Sequence, residues 1–467
     1  MQISCWSWLK TMFQETKTCK NLCSYNSPRI SSEVLDCALP FTFDQYAICS
    51  WQCQYCFAFY SKSNNPTLRH TVINGKANSV NIKKIEKLFK GESNCKDHKV
   101  FYEYFIKNKV PMQWGGLGEP FDDFERKQRV GLELIKFFDE IRYPIIFSTK
   151  GTLPAEDEYF DIFKKHPENW MFRYSLISLD EEKCKQIEVG VPSPWERLKA
   201  MKKLSDAGIY TILRFRPYML GLSEKTDLAL LEEAKKTGAK AVSLEFWCVE
   251  VRANKFIKQR YHNISKILGY DISKFYKVGS EHKGGYLRLT RSVKWKYVKR
   301  ILAACRRLGL GFYVSDPAFK ELSDGGCCCG IPPQHPVFGN YLKAQFTEMI
   351  VEARRKALKD GFAEITFDDL ANKGIGLEWA KHIKVAGYIP TTSIERHARW
   401  LYKHMTFYDR FIEKWNDPNK FESPYRLFEG KLKPVRLDEK KNLVYQYVLT
   451  PEDFEAEEIN IGVKAVG

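Results

Sequence analysis

The chain has 467 residues, 44% of them hydrophobic and 14% aromatic, which excludes a disordered protein and leaves room for two or three domains. A formal charge of +17 favours a polyanionic partner, most simply nucleic acid. No stretch approaches the length of a membrane span, and 14 cysteines scattered without an export signal fit a reducing cytoplasm that keeps thiols for metal.

Residues 1–36 read as an aromatic cap. Trp6, Trp8, Leu9, Met12 and Phe13 have helical spacing, without the basic and apolar regions of a signal peptide. Cys19 and Cys23 read as packed thiols. From about residue 37 strands and helices alternate. Cys49, Cys53 and Cys56 follow as C-x3-C-x2-C, with Tyr55 before the third cysteine. This spacing can ligate three irons of a [4Fe–4S] cluster and leave the fourth open to a substrate or cosubstrate. Buried thiols or a zinc half-site are the alternatives, although zinc usually takes paired C-x2-C knuckles.

Pro111–Trp114 predicts a strand ending in the glycine turn 115–120, and the next helix has Val130, Leu132, Leu134, Ile135 and Phe138 as core candidates. Strands are expected at 143–149, 170–179, 209–217, 239–246 and 311–315. The best-marked helix has Ser193 as N-cap, Pro194 at N1 and Glu196 completing a capping box. Its apolar stripe is Trp195, Leu198, Met201 and Leu204, and Gly208 stops it. A helix is expected at 291–308.

Repeated βα units imply a parallel α/β sheet with its chemistry at the C-terminal strand ends. The cysteine loop, the glycine turn, Ser148–Gly151 and Arg214–Pro217 would share that rim. The βα-repeating body spans 37–316 and is followed by a mainly helical extension over 317–467. In the extension, helices are expected at 339–357 and 391–416, and a hairpin over 431–449 turning near 438–442.

Cys327, Cys328 and Cys329 open the extension beside glycines. One or two could join Cys305 or Cys248 in an auxiliary cluster, one could donate a hydrogen atom to a product radical, or the run could be a structural turn. Two aromatic-interleaved basic segments could pair phosphates. One holds Arg291, Lys294, Trp295, Lys296, Tyr297, Lys299 and Arg300; the other holds Arg252, Lys255, Lys258, Arg260 and Tyr261. Val298, Ile301, Leu302 and Cys305 form a core stripe on the first, which favours reading its lysines as the wet face of an amphipathic helix.

Together these residues resemble the radical S-adenosylmethionine (SAM) superfamily. The cysteine loop matches its C-x3-C-x-aromatic-C signature, and Gly116-Leu117-Gly118-Glu119-Pro120 is similar to its second-strand glycine motif. Ser148-Thr149-Lys150-Gly151 and the run from Glu188 to Met219 resemble the spore photoproduct lyase-like group, also labelled DNA repair photolyase-like. The resemblance covers about residues 40–250. It departs at Val189, where the family often has proline, and in long insertions that include the basic stretch Lys83 to Lys109.

The resemblance implies an α/β partial (βα)6-type TIM barrel over 37–316 and a [4Fe–4S] cluster on Cys49, Cys53 and Cys56. SAM would lie along Gly115, Gly116, Gly118 and Glu119, with its carboxylate on Lys150 beside Thr149 and its adenine near Tyr55. Ser175, Ser178 and Arg214 would be rim contacts to ribose or carboxylate. It implies reductive SAM cleavage to a 5′-deoxyadenosyl radical that abstracts hydrogen from a nucleic acid or nucleotide-derived substrate, with flavodoxin or ferredoxin as electron donor. The alternatives are modification of a peptide or protein, with a second iron–sulfur cluster near Cys327–Cys329, and a non-enzymatic iron–sulfur nucleic-acid-binding protein.

Overall fold

The computed structural model describes residues 28–31, 33–64, 75, 77–385 and 405–464. The expected features at Trp6–Phe13, Cys19 and Cys23, and the first part of the 391–416 helix, lie outside these residues.

The main sheet has eight strands in sequence order, labelled here β1 (Arg29–Ile30), β2 (Phe41–Phe43), β3 (Met112–Trp114), β4 (Ile145–Thr149), β5 (Trp170–Ser175), β6 (Tyr210–Tyr218), β7 (Ala241–Phe246) and β8 (Gly311–Val314). Only β1–β2 is antiparallel; every pair from β2 to β8 is parallel. The parallel run therefore has seven strands, one more than a (βα)6 barrel, with Phe41–Phe43 starting it ahead of the cysteine loop. β1 also extends the sheet into the segment read as a separate cap.

The strands are apolar on both faces, as parallel strands buried on both sides must be. Side chains alternate across a strand. Phe147, Phe172, Tyr174, Leu213 and Phe215 join the large core shared with the helices. Ile146, Met171, Ile212, Ala241 and Tyr313 point the other way, into a second cluster with Cys327, Cys329, Ile331, Phe338 and Tyr341. The cysteine-rich turn thus plugs the inner face of the sheet. It is tied there by Tyr210 donating to Gly330 O at 3.1 Å and Ser243 to Cys328 O at 2.7 Å.

The helix Pro194–Asp206 forms as its sequence dictates. Ser193 Oγ accepts from Glu196 N at 3.3 Å, Glu196 Oε2 accepts from Ser193 N at 2.7 Å, and Gly208 takes φ +84°. One assignment is corrected: Trp195 faces solvent, and Arg197 is buried in its place because Glu188 waits for it. The extension carries helices Phe346–Asp360, Phe367–Ala371, Phe407–Asn416 and Pro451–Lys464, together with a three-stranded sheet. That sheet contains the expected hairpin, Leu432–Leu437 paired antiparallel with Leu443–Tyr447. No helix among the described residues is long and apolar enough to cross a membrane.

Candidate cofactor site and active site

Cys49, Cys53 and Cys56 lie on the loop after β2, and all three are free thiols. The loop is held by contacts that leave the sulfurs alone. Ser50 N donates to Asp122 Oδ2 at 2.6 Å, and Gln54 N donates to Ile187 O at 2.8 Å. Gln52 and Cys53 pair antiparallel with Val189 and Glu188. Arg260 reaches in from the helix Lys255–Leu268, donating to Cys53 O at 2.5 Å and Gln52 Oε1 at 2.8 Å. Trp51 N stands 3.4 Å from Cys49 Sγ and Phe59 N 3.4 Å from Cys56 Sγ.

Burial pushes the Cys49 thiol well above its usual range and the Cys53 thiol to about 12. A cationic metal group reverses that cost by taking up the thiolates. Among the described residues no three His, Cys, Asp or Glu side chains close on one point as a single metal ion requires. A [4Fe–4S] cluster takes one thiolate per iron at separate corners, so three free thiols spread over one anchored loop are a donor set that fits it.

Lys150 follows β4 and faces this loop, its Nζ 5.6 Å from the centre of the Tyr55 ring. Burial works against its charge, but Cys53, Glu188, Glu119 and Cys56 raise its pKa overall. Tyr55 donates its hydroxyl to Glu188 Oε1. Glu188 Oε2 pairs with Arg197 at 2.7 Å, and Arg197 also donates to Ser175 O at 2.7 Å. Glu188 and Arg197 are both 1% exposed. This clamp joins the cysteine loop to the end of β5.

Glu119 ends the glycine turn after β3. Its carboxylate accepts from Thr149 Oγ1 at 2.5 Å and from Lys150 N at 2.9 Å, so it stitches β3 to β4. Desolvation lifts its pKa to about 7, against the hydrogen bond from Thr149 and the charge of Lys150. Gly115 takes φ +91°, and a Cβ there would stand 2.5 Å from Ser148 O. A Cβ at Gly116 would stand 2.8 Å from Thr42 Oγ1. Gly118 N donates to Asp44 Oδ1 at 2.8 Å and Leu117 N donates to the same oxygen at 3.0 Å.

The structure therefore brings together Cys49, Cys53, Cys56, Tyr55, Glu119, Thr149 and Lys150, with Gly115, Gly116 and Gly118 in the adjoining turn. Ser175 adjoins through its carbonyl and accepts from Arg214 at 3.3 Å through its hydroxyl. Ser178 is fully buried; its hydroxyl is shared with Thr226 Oγ1 at 2.8 Å and accepts from Asp180 N at 3.1 Å. Cys327 and Cys329 are buried and Cys328 is half-buried. Cys37 packs against the same cluster, whereas Cys305 lies in the helix-side core. Asp44, Arg173, Cys37, the Glu188–Arg197 clamp and the Arg260 anchor were not picked out as site-building residues in the sequence. Only the run of Glu188 before an N-capped helix carried a signal.

The first basic segment is largely consumed inside the protein. Arg291 pairs with Glu321 at 2.8 Å and Glu452 at 2.5 Å, Lys294 with Asp316 at 2.9 Å, Lys299 with Glu455 at 2.9 Å, and Arg300 with Asp227. Val298, Ile301, Leu302 and Cys305 are its buried stripe, as the amphipathic reading expects. The second segment differs: Arg260 anchors the cysteine loop while Lys255, Lys258 and Lys266 on the same helix are exposed.

The chain is similar in structure to spore photoproduct lyase. A cysteine-to-serine mutant of that protein matches with 16% identity over 62% of this chain and 78% of the other, at a TM-score of 0.46. The lyase complexed with dinucleoside spore photoproduct matches with 17% identity, 62% and 78% coverage and a TM-score of 0.46. Streptococcus suis SuiB bound to S-adenosylmethionine is a more distant likeness, with 14% identity, 48% and 43% coverage and a TM-score of 0.31. No protein-family model and no curated protein matches the chain.

Proposed function

We propose that this protein is a radical SAM enzyme acting on a nucleic acid or nucleotide-derived substrate. The observation that carries the reading is the convergence of the cysteine loop, Lys150 and Glu119 at neighbouring C-terminal strand ends. Cys49, Cys53 and Cys56 would hold a [4Fe–4S] cluster. When bound, such a cluster supplies the electron that splits SAM into methionine and a 5′-deoxyadenosyl radical.

The chain's own residues do the rest. Lys150 offers a charged ammonium for the SAM carboxylate. Glu119, fixed by Thr149 and the Lys150 amide, presents an acceptor edge near the amino group. Tyr55 is held in place by Glu188 and sets one wall for the adenine. Ser175 adds polar atoms at the end of β5. Cys328, half-exposed on the inner face, is the turn thiol best placed to meet a substrate. The exposed Lys255, Lys258 and Lys266 lie on the helix whose Arg260 anchors the cysteine loop, on the face turned away from that anchor, and give the helix a basic outer surface suited to phosphates.

The test is an anaerobic assay of reconstituted full-length protein with SAM and dithionite, with no addition, DNA, RNA or a peptide pool. 5′-Deoxyadenosine formed by wild type, absent from the Cys49→Ala/Cys53→Ala/Cys56→Ala variant and stimulated by a nucleic acid supports the proposal. Stimulation by peptide alone moves the substrate to the peptide class. No nucleoside at full iron loading sinks the enzyme reading.

A further inference from the structure

The inner face of the sheet gathers Arg173, Arg214 and Arg216, with the carboxylates of Glu245 and Glu33 acting on Arg216. Arg173 comes from β5, and Arg214 and Arg216 are two apart on β6, so both of the latter face the same side. Arg216 pairs with Glu245 at 2.5 Å. Among the described residues neither Arg173 nor Arg214 has a carboxylate partner. Arg173 donates to the Ser148 hydroxyl and the Cys329 thiol, and Arg214 to Ser175 Oγ at 3.3 Å. Arg173 is 4% exposed and its Nε has no hydrogen-bond partner. Cys329 does not balance it as a thiolate, because its pKa stands at about 11, raised first by the hydrogen bond with Cys327.

An uncompensated buried charge is among the costlier features a fold can carry. Burial together with Arg216 and Arg173 draws even the Arg214 guanidinium down to about 9. Yet Arg214, Arg216, Ser315 and Cys328 are only partly buried, so solvent reaches the edge of this part of the inner face. A purely structural cluster would have met these arginines with acids, as Lys294 is met by Asp316 and Lys320 by Asp36.

We propose that this part of the inner face is a phosphate subsite, in which Arg214, backed by the charge of the buried Arg173, grips one phosphate of the substrate beside the cysteine-rich turn. The inference rests on the nucleotide-type substrate proposed above and names where its phosphate sits. Two unmatched guanidiniums complement the near-double charge of a phosphate monoester better than the single charge of a carboxylate. The hydroxyl of Ser315, partly buried beside Cys328, adds a donor for a further oxygen. Ser175 links the subsite to the cofactor end, since its carbonyl accepts from Arg197 and its hydroxyl from Arg214.

Binding of inorganic phosphate, a nucleoside monophosphate and acetate to the full chain is measured by titration calorimetry at constant ionic strength, without SAM. Wild type is expected to bind phosphate and the nucleotide saturably and acetate more weakly. Arg214→Gln is expected to weaken phosphate binding about tenfold or more, and Arg214→Lys, which keeps charge but loses the fork, by a smaller factor. Melting curves confirm that each variant is folded, and Arg173→Gln serves should Arg214→Gln fail to fold. Acetate binding as tight as that of phosphate, or phosphate binding indifferent to both Arg214 variants, overturns the subsite. Phosphate binding without SAM cleavage would sink the enzyme reading alone; SAM cleavage without phosphate binding would sink the subsite alone.

Discussion

Replacing Arg197 with methionine tests whether the buried Glu188–Arg197 pair is what clamps the cysteine loop. Both side chains are 1% exposed and 2.7 Å apart, so solvent cannot screen the loss. The variant strands the Glu188 carboxylate with Tyr55 as its remaining side-chain partner and frees Ser175 O from its guanidinium. Removing one member of such a pair costs about 3–5 kcal/mol, most of it for the unpaired charge left behind. The double variant Arg197→Met/Glu188→Gln removes that charge, so about 1–3 kcal/mol should return as a coupling energy. Guanidinium unfolding followed by tryptophan fluorescence reads the four corners of the cycle, and iron per chain after reconstitution reads the loop. Iron loading should fall in the single variant because Cys53 pairs directly with Glu188. A loss below about 1 kcal/mol, or single-variant costs that simply add, refutes the clamp.

Glu119 gives a pH test. Its folded pKa of about 7 lies above the ordinary 4.5, so the native state holds this proton more tightly than the unfolded chain does. The resulting stabilisation is full below the unfolded value and is lost as pH rises through about 7, a swing of about 3 kcal/mol. Wild type should therefore lose stability relative to Glu119→Gln across that window in pH-dependent denaturation, and a flat difference would contradict the assignment. Gly115→Ala should cost about 1–3 kcal/mol by the same denaturation assay, because of the positive φ and the clash with Ser148 O; an unchanged midpoint would mean the turn relaxes freely. Ser178→Ala should cost about 1 kcal/mol for the lost Thr226 bond and leave the KM for SAM unchanged. A severalfold rise in that KM would return Ser178 to the cofactor.

Much of the fold and part of the site could be read from local pattern. The capping box at Ser193, the core stripe of the helix Arg291–Leu308 and the hairpin strands Leu432–Leu437 and Leu443–Tyr447 depend on spacing within a few residues, which sequence carries directly. So does the cysteine loop, whose three thiols are one short segment. Trp195 failed because helical periodicity assigns a hydrophobic residue to a face without knowing that Glu188 reserves a neighbouring position for Arg197. Likewise the charges of the helix Arg291–Leu308 looked available until acids about 20 to 160 residues away were found to pair them.

The sequence by itself determined a βα-repeating chain with a three-thiol loop and a basic residue on the next-but-one strand end. Tertiary structure alone decided which charges are spent and which are left over. Pairing energies depend on distance and burial, and both come from residues far apart in the chain. Only folding sets Arg197 against Glu188, Lys150 against the cysteine loop, and Arg173 near Arg214 with no carboxylate paired to either among the described residues.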